Sequence, residues 1–130
     1  MAPAAVGAYL PAVGRAYDSG ATPEMPMIKL ALFARLEAKP GKEAAVAKFL
    51  ETGLALANQE ATTPIWFALK LSPTTFGVFD AFHDENGRQA HLAGPIAQAL
   101  MAQAPELLAA PPAIERIDVL GLKNSVKAAA

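Results

Sequence analysis

Two side chains able to move a proton lie close together in the stretch FGVFDAFHDENGRQAHLAGPIAQAL, residues 76–100. Asp80 sits inside a strongly apolar alternation, and His91 follows in a segment with helical character. A neutral imidazole is the natural proton acceptor near pH 7. A carboxylate bonded to it would orient the ring and stabilise its charged form. A position at the end of a helical segment favours the same protonated form. The plainer reading is a histidine satisfied by backbone and packing, joined to Asp80 in a structural ion pair. Arg35 and Arg88 are the other donors that a buried Asp80 could find. Both readings stand at this point.

The elements that must position this pair can be read in order. Residues 1–26 are rich in Ala, Pro and Gly and read as a leader, or as an arm packing on a neighbour. From Met27 the segment MIKLALFARLE alternates, with Leu30, Leu32 and Leu36 on one face and Phe33 and Arg35 on the other. After the turn KPGK, EAAVAKFLETGLALANQ carries Val46, Phe49, Leu50, Leu54 and Ala57 along one helical stripe. TPIWFALKLS and TFGVFDAFH are two strands joined by a tight turn at Ser72–Thr74, hence antiparallel partners. Asp84 is placed to cap the next helix. Pro95 cannot sit inside that helix, so Gly94 and Pro95 restart it, and His91 falls in the last turn of the first piece. A short turn is expected at PELLAA, then a fourth strand in AIERIDVLGLK and a tail over 124–130.

This order, β-α-β-β-α-β, predicts an α+β ferredoxin-like split βαβ unit over residues 27–123: a four-stranded antiparallel sheet with helices on one face. In the second and third strands both faces are apolar. Ile65, Phe67 and Leu69 oppose Trp66 and Ala68, while Phe76, Val78 and Phe82 oppose Phe79 and Ala81. A sheet covered on one side should alternate apolar with polar. The second face therefore needs a cover, and a second copy of the chain is the simplest one, giving a homodimer through the sheet.

Composition narrows the function classes. The chain has 130 residues, 53% of them hydrophobic and 18% charged. Such a chain is a single globular domain. A net charge of −1 gives no footprint for nucleic acid, and no basic stripe marks a membrane surface. The absence of cysteine removes disulfides and thiol chemistry. No apolar run approaches the ~18 residues of a membrane span, so a cytoplasmic protein is expected. Two histidines without an HExxH pattern make a poor metal site, and no phosphate-binding loop is present.

The segments FDAF and QAHLAGPIAQAL, with the opening ALFARLEAKPGKEAAVAKFL, resemble the antibiotic biosynthesis monooxygenase-like (ABM) domain over roughly residues 27–123. The resemblance implies a dimeric α/β barrel formed sheet to sheet, with a pocket in each subunit between sheet and helices. It also implies, as one activity of the family, oxygenation of quinols or polycyclic phenols without metal or flavin. The haem-degrading branch has a histidine further along the second helical region, where this chain has Met101; haem cleavage is therefore not expected. On this footing His91 and Asp80 are the expected catalytic pair. Arg35, Phe33, Trp66, Phe67 and Phe82 are candidates to contact an aromatic substrate, although core or interface packing explains the aromatics equally well and Trp66 falls opposite Phe67. The alternative function is a non-enzymatic dimer that binds a small molecule in the same fold.

Overall fold

The computed structural model describes residues 27–124. The expected arm at 1–26 and the end of the expected tail lie outside the described residues. Seven elements follow in the order β1 (Leu30–Glu37), α1 (Glu43–Ala57), β2 (Ile65–Lys70), β3 (Thr75–Phe82), α2 (Glu85–Leu92), α3 (Pro95–Leu107) and β4 (Ala113–Asp118). The strands form one antiparallel sheet in the order β2-β3-β1-β4, the ferredoxin-like arrangement.

Strand parity decides which side chains meet the helices. The even-numbered residues Leu32 and Leu36 of β1 and Phe76, Val78, Asp80 and Phe82 of β3 are all buried. Leu36, Phe76 and Val78 pack with Val46 and Leu50 of α1 and with Ala104 and Leu107 of α3 in one core cluster. The three helices thus cover the even face. On the odd face Phe33, Phe79 and Phe67 lie side by side in register. Phe67 is 55% exposed, and no described helix packs there.

Local chemistry sets the helix ends. Asp84 caps α2, its Oδ1 accepting from the Gly87 N–H at 2.9 Å. Gly94, in extended conformation, and Pro95 at the first turn restart the chain as α3. Contrary to the turn expected at PELLAA, α3 continues through Pro105 to Leu107. Pro105 costs one backbone bond near the helix end, but the continued helix buries Ala104 and Leu107. The Pro105 carbonyl accepts from Lys39 Nζ at 2.6 Å. Leu54, expected on the buried stripe of α1, instead points outward at 49% exposure. No described helix is long and apolar enough to cross a membrane.

Leu36 is fully buried at the centre of the core cluster. Leu36→Ala should therefore lower the unfolding free energy by about 2–5 kcal/mol, with an unchanged denaturant slope in urea titration.

Candidate functional site

Asp80 stands in the middle of β3, paired across the sheet with Leu32 on one side and Trp66 on the other. Its even parity drives the carboxylate into the apolar layer under the helices, where only 2% of the residue remains exposed. His91 reaches down from the last turn of α2, and its Nε2 lies 2.8 Å from Asp80 Oδ2. The two residues singled out in the sequence are therefore in direct contact. Phe82 packs beside the imidazole, with ring centroids 5.6 Å apart and planes tilted by 44°.

The other ring nitrogen is held as firmly. Glu60 Oε1 lies 2.6 Å from His91 Nδ1. Thr63 Oγ1 donates to the same carboxylate oxygen at 3.2 Å. Glu60 was not legible as a partner, because an acidic residue in the loop NQEATT between a helix and a strand ordinarily belongs to solvent. The signal that could have found it is an unmet valence: a buried imidazole has two nitrogens, and Asp80 satisfies one.

The backbone is shaped to bring this loop in. The Glu60 N–H donates to the Ala57 carbonyl, and Thr63 N–H returns to the Glu60 carbonyl at 3.1 Å, closing a tight turn. The turn presses against α2 so closely that a Cβ on Gly87 would stand 2.9 Å from the Thr62 carbonyl oxygen. A Cβ on Gly94 would stand 3.2 Å from Glu60 Oε2. Both glycines are positions where the loop and the helix backbone nearly touch.

The contacts between the ring and the two carboxylates, at 2.6 Å and 2.8 Å, are hydrogen-bond distances. Each needs a hydrogen between its partners. Either His91 is an imidazolium between two carboxylates, or it is neutral beside one carboxylic acid. Both forms hold the same protons and carry one net negative charge. Burial alone would push the His91 imidazole down, but the hydrogen bonds and charges of Asp80 and Glu60 outweigh it, and the ring is held above its usual value of 6.5. Burial pushes the Asp80 carboxyl up from 3.8, and His91 only partly reverses this. Both groups therefore keep protons to higher pH than they would in water. The direction at His91 is secured by two carboxylates facing one ring.

The pair borders a cavity of about 50 Å³ between the sheet and α3. Apart from Asp80 and His91 its walls are apolar, among them Leu32 and Val78 from the sheet, Ile96 and Leu100 from α3, and Ile114 from β4. A larger groove of about 360 Å³ beside Met101 and Pro111 holds no titratable group. Among the described residues no cluster of three or more His, Cys, Asp or Glu side chains is arranged to hold a metal ion.

The other expected contacts are distributed differently. Phe33, Arg35 and Phe67 lie on the odd face, across the sheet from His91, because strand alternation separates them from Asp80. The Arg35 guanidinium lies over the Phe33 ring at 5.5 Å. Trp66, weighed for the dimer face, is instead on the helix side, since the register pairs it with Asp80. Its indole rests against Gly53 of α1. Phe82 is fully buried behind the imidazole. None of these five lines the cavity of His91. The ring of His91 also has no free nitrogen. Among the described residues, the buried side-chain atoms without a hydrogen-bond partner are Asp80 Oδ1, Glu60 Oε2 and Trp66 Nε1.

A protein of unknown function from Nitrosomonas europaea is similar to this chain at 61% identity and a TM-score of 0.75, covering 79% of this chain and 100% of that one. The chain belongs to that protein's family. The fold of the family is ABM-like. A candidate antibiotic biosynthesis monooxygenase from Nitrosomonas europaea matches with a TM-score of 0.64 at 15% identity, over 71% of this chain and 90% of that one. Another from Caulobacter crescentus matches with a TM-score of 0.62 at 17% identity, over 74% and 93% of the two chains. At such identities the likeness is one of fold. No protein-family model and no curated protein matches the sequence.

The proton inventory of the site has a consequence for stability. His91 holds its proton more tightly folded than unfolded, so its contribution is complete below about pH 6.5 and is lost as pH rises through the raised value. Asp80, also raised, acts in the same direction from its own lower starting point. Urea midpoints measured from about pH 6 to about pH 9 should therefore fall with rising pH, and His91→Gln should flatten the decline.

Proposed function

We propose that this ABM-like domain is a cofactor-independent monooxygenase of an electron-rich aromatic hydroxyl compound, a quinol or polycyclic phenol, with O2 as co-substrate. The observation that carries this reading is the buried Asp80–His91 pair on the wall of an otherwise apolar cavity, with Glu60 bonded to the far nitrogen of the imidazole. Asp80 accepts the phenolic proton, because its Oδ1 has a lone pair without a donor while both nitrogens of His91 are occupied. His91 holds Asp80 in place and passes charge relief to it through Nε2. The aromatic anion then gives an electron to O2, and the apolar walls keep water from the reactive pair. ABM-like neighbours described as candidate monooxygenases support the reaction class.

The cavity beside the pair holds about 50 Å³. That is less than the roughly 150 Å³ of an apolar cavity able to take up a benzene ring. Substrate entry thus requires the cavity to widen, and its weakest wall is Ile114, which is 47% exposed at the β4 edge. The same small volume favours a second reading, a non-enzymatic domain that binds a small ligand with the three polar residues as a structural pin. We also assign the odd face to a homodimer. Phe67, Phe33 and Phe79 form an apolar surface of the kind that one subunit buries in another.

Oxygen consumption by the purified protein with a panel of quinols and anthrols tests the chemistry. Turnover is expected in the wild type, and Asp80→Asn should cost ~10²–10⁴-fold in kcat. Tight binding without O2 uptake would move the assignment to the second reading. For the assembly, sedimentation velocity should give a dimer for the wild type, and Phe67→Glu should give the mass of a single chain.

A further inference from the structure

We propose that Glu60 is a positioning residue of this site: by fixing and charge-balancing His91 through Nδ1 it keeps Asp80 available as the proton acceptor. The inference rests on the reading of Asp80 given above and extends it to a residue outside the Asp–His pair.

The geometry carries it. Glu60 is aimed at one target, with Oε1 at 2.6 Å from the ring nitrogen and only the Thr63 hydroxyl as an additional donor. Its side chain is 11% exposed although it sits in a loop. Two backbone close approaches, at Gly87 and Gly94, hold that loop against α2 and the start of α3. A tight turn, two glycines and a buried threonine are thus committed to placing one carboxylate.

The charge balance gives this placement a purpose. An imidazolium with Asp80 alone is a neutral pair, and taking up a substrate proton would leave a net positive charge in an apolar layer. With Glu60 present the row starts with one negative charge and becomes neutral when Asp80 accepts the proton. Burying an uncompensated charge is costly, so the three-membered row is the better acceptor. Glu60 also orients the ring: in the imidazolium form Nδ1–H donates to Oε1 and Nε2–H donates to Asp80 Oδ2. The groups facing His91 are Asp80 from β3 and Glu60 with Thr63 from the loop. The buried Arg88 on the same helix is occupied by Glu85 and by the Ala31 carbonyl.

The decisive variant is Glu60→Gln, which keeps an acceptor for Nδ1–H and removes the charge. In the full chain labelled with ¹⁵N-histidine, the NMR titration midpoint of His91 should move to lower pH, with His83→Gln assigning the remaining signal. Glu60→Asp, which keeps the charge, should leave the midpoint closer to the wild-type value, and Glu60→Ala, which removes the charge, replaces Glu60→Gln if the latter does not fold. With a substrate in hand, Glu60→Gln should lose on the order of tenfold or more in kcat with KM little changed. A His91 midpoint that is the same in wild type and Glu60→Gln, or, where Glu60→Gln does not fold, the same in wild type and Glu60→Ala, overturns the role of Glu60. Failure of every variant and of the wild type to consume O2, with the midpoint shift present, overturns the oxygenase reading instead and leaves the Glu60–His91 linkage supported.

Discussion

A carboxylate in the middle of a buried strand must find a donor or lose its charge, and much of this molecule is arranged around how Asp80 meets that demand. Parity on β3 sends it under the helices with Phe76, Val78 and Phe82, into an apolar layer. The answer is an imidazole, and an imidazole brings a second valence with it. Satisfying that second nitrogen pulls in Glu60, and Glu60 in turn requires the α1–β2 loop to lie against α2. The break between α2 and α3, the glycines on either side of His91 and the turn at Glu60–Thr63 all serve a single polar position in an apolar strand.

The sequence carried the fold well because the signals that define it are periodic. Alternation in β1, the apolar runs of β2 and β3 on either side of a tight turn, and the helical stripe of α1 apart from Leu54 were legible from residue types alone. Gly94 and Pro95 marked the restart of the helix for a stereochemical reason that context does not override. Pro105 shows the opposite case. Near a helix end the loss of one hydrogen bond is small against the burial of Ala104 and Leu107, so its breaking rule gave way to packing.

The site was half legible. Asp80 and His91 were visible because a charged residue inside an apolar alternation, and a histidine at a helix end beside it, are each unusual. Glu60 was invisible because nothing in a loop sequence says that the loop is folded inward. Trp66, Phe33 and Phe67 lie away from the cavity of His91 for another reason. Their faces within each strand were correctly read, but parity is relative, and only the pairing of Trp66 with Asp80 fixes which set shares the site. Register is a tertiary property, set by the partner strand and the turn at Ser72–Thr74, and a one-residue slip would have exchanged the two sets.

The two apolar faces of the sheet are linked through this same register. Phe79 follows Val78 and precedes Asp80, so the strand that carries the acid also carries the ring at the centre of the odd face. Phe33, opposite Phe79, lies between Leu32 and Ala34, which both line the cavity. A change in how the odd face is packed therefore reaches the cavity wall through one residue of backbone. Tight interiors transmit such displacements rather than absorb them. In an assembly built on this face, the subunit contact and the cavity beside His91 would be two sides of one sheet, separated by a single layer of backbone.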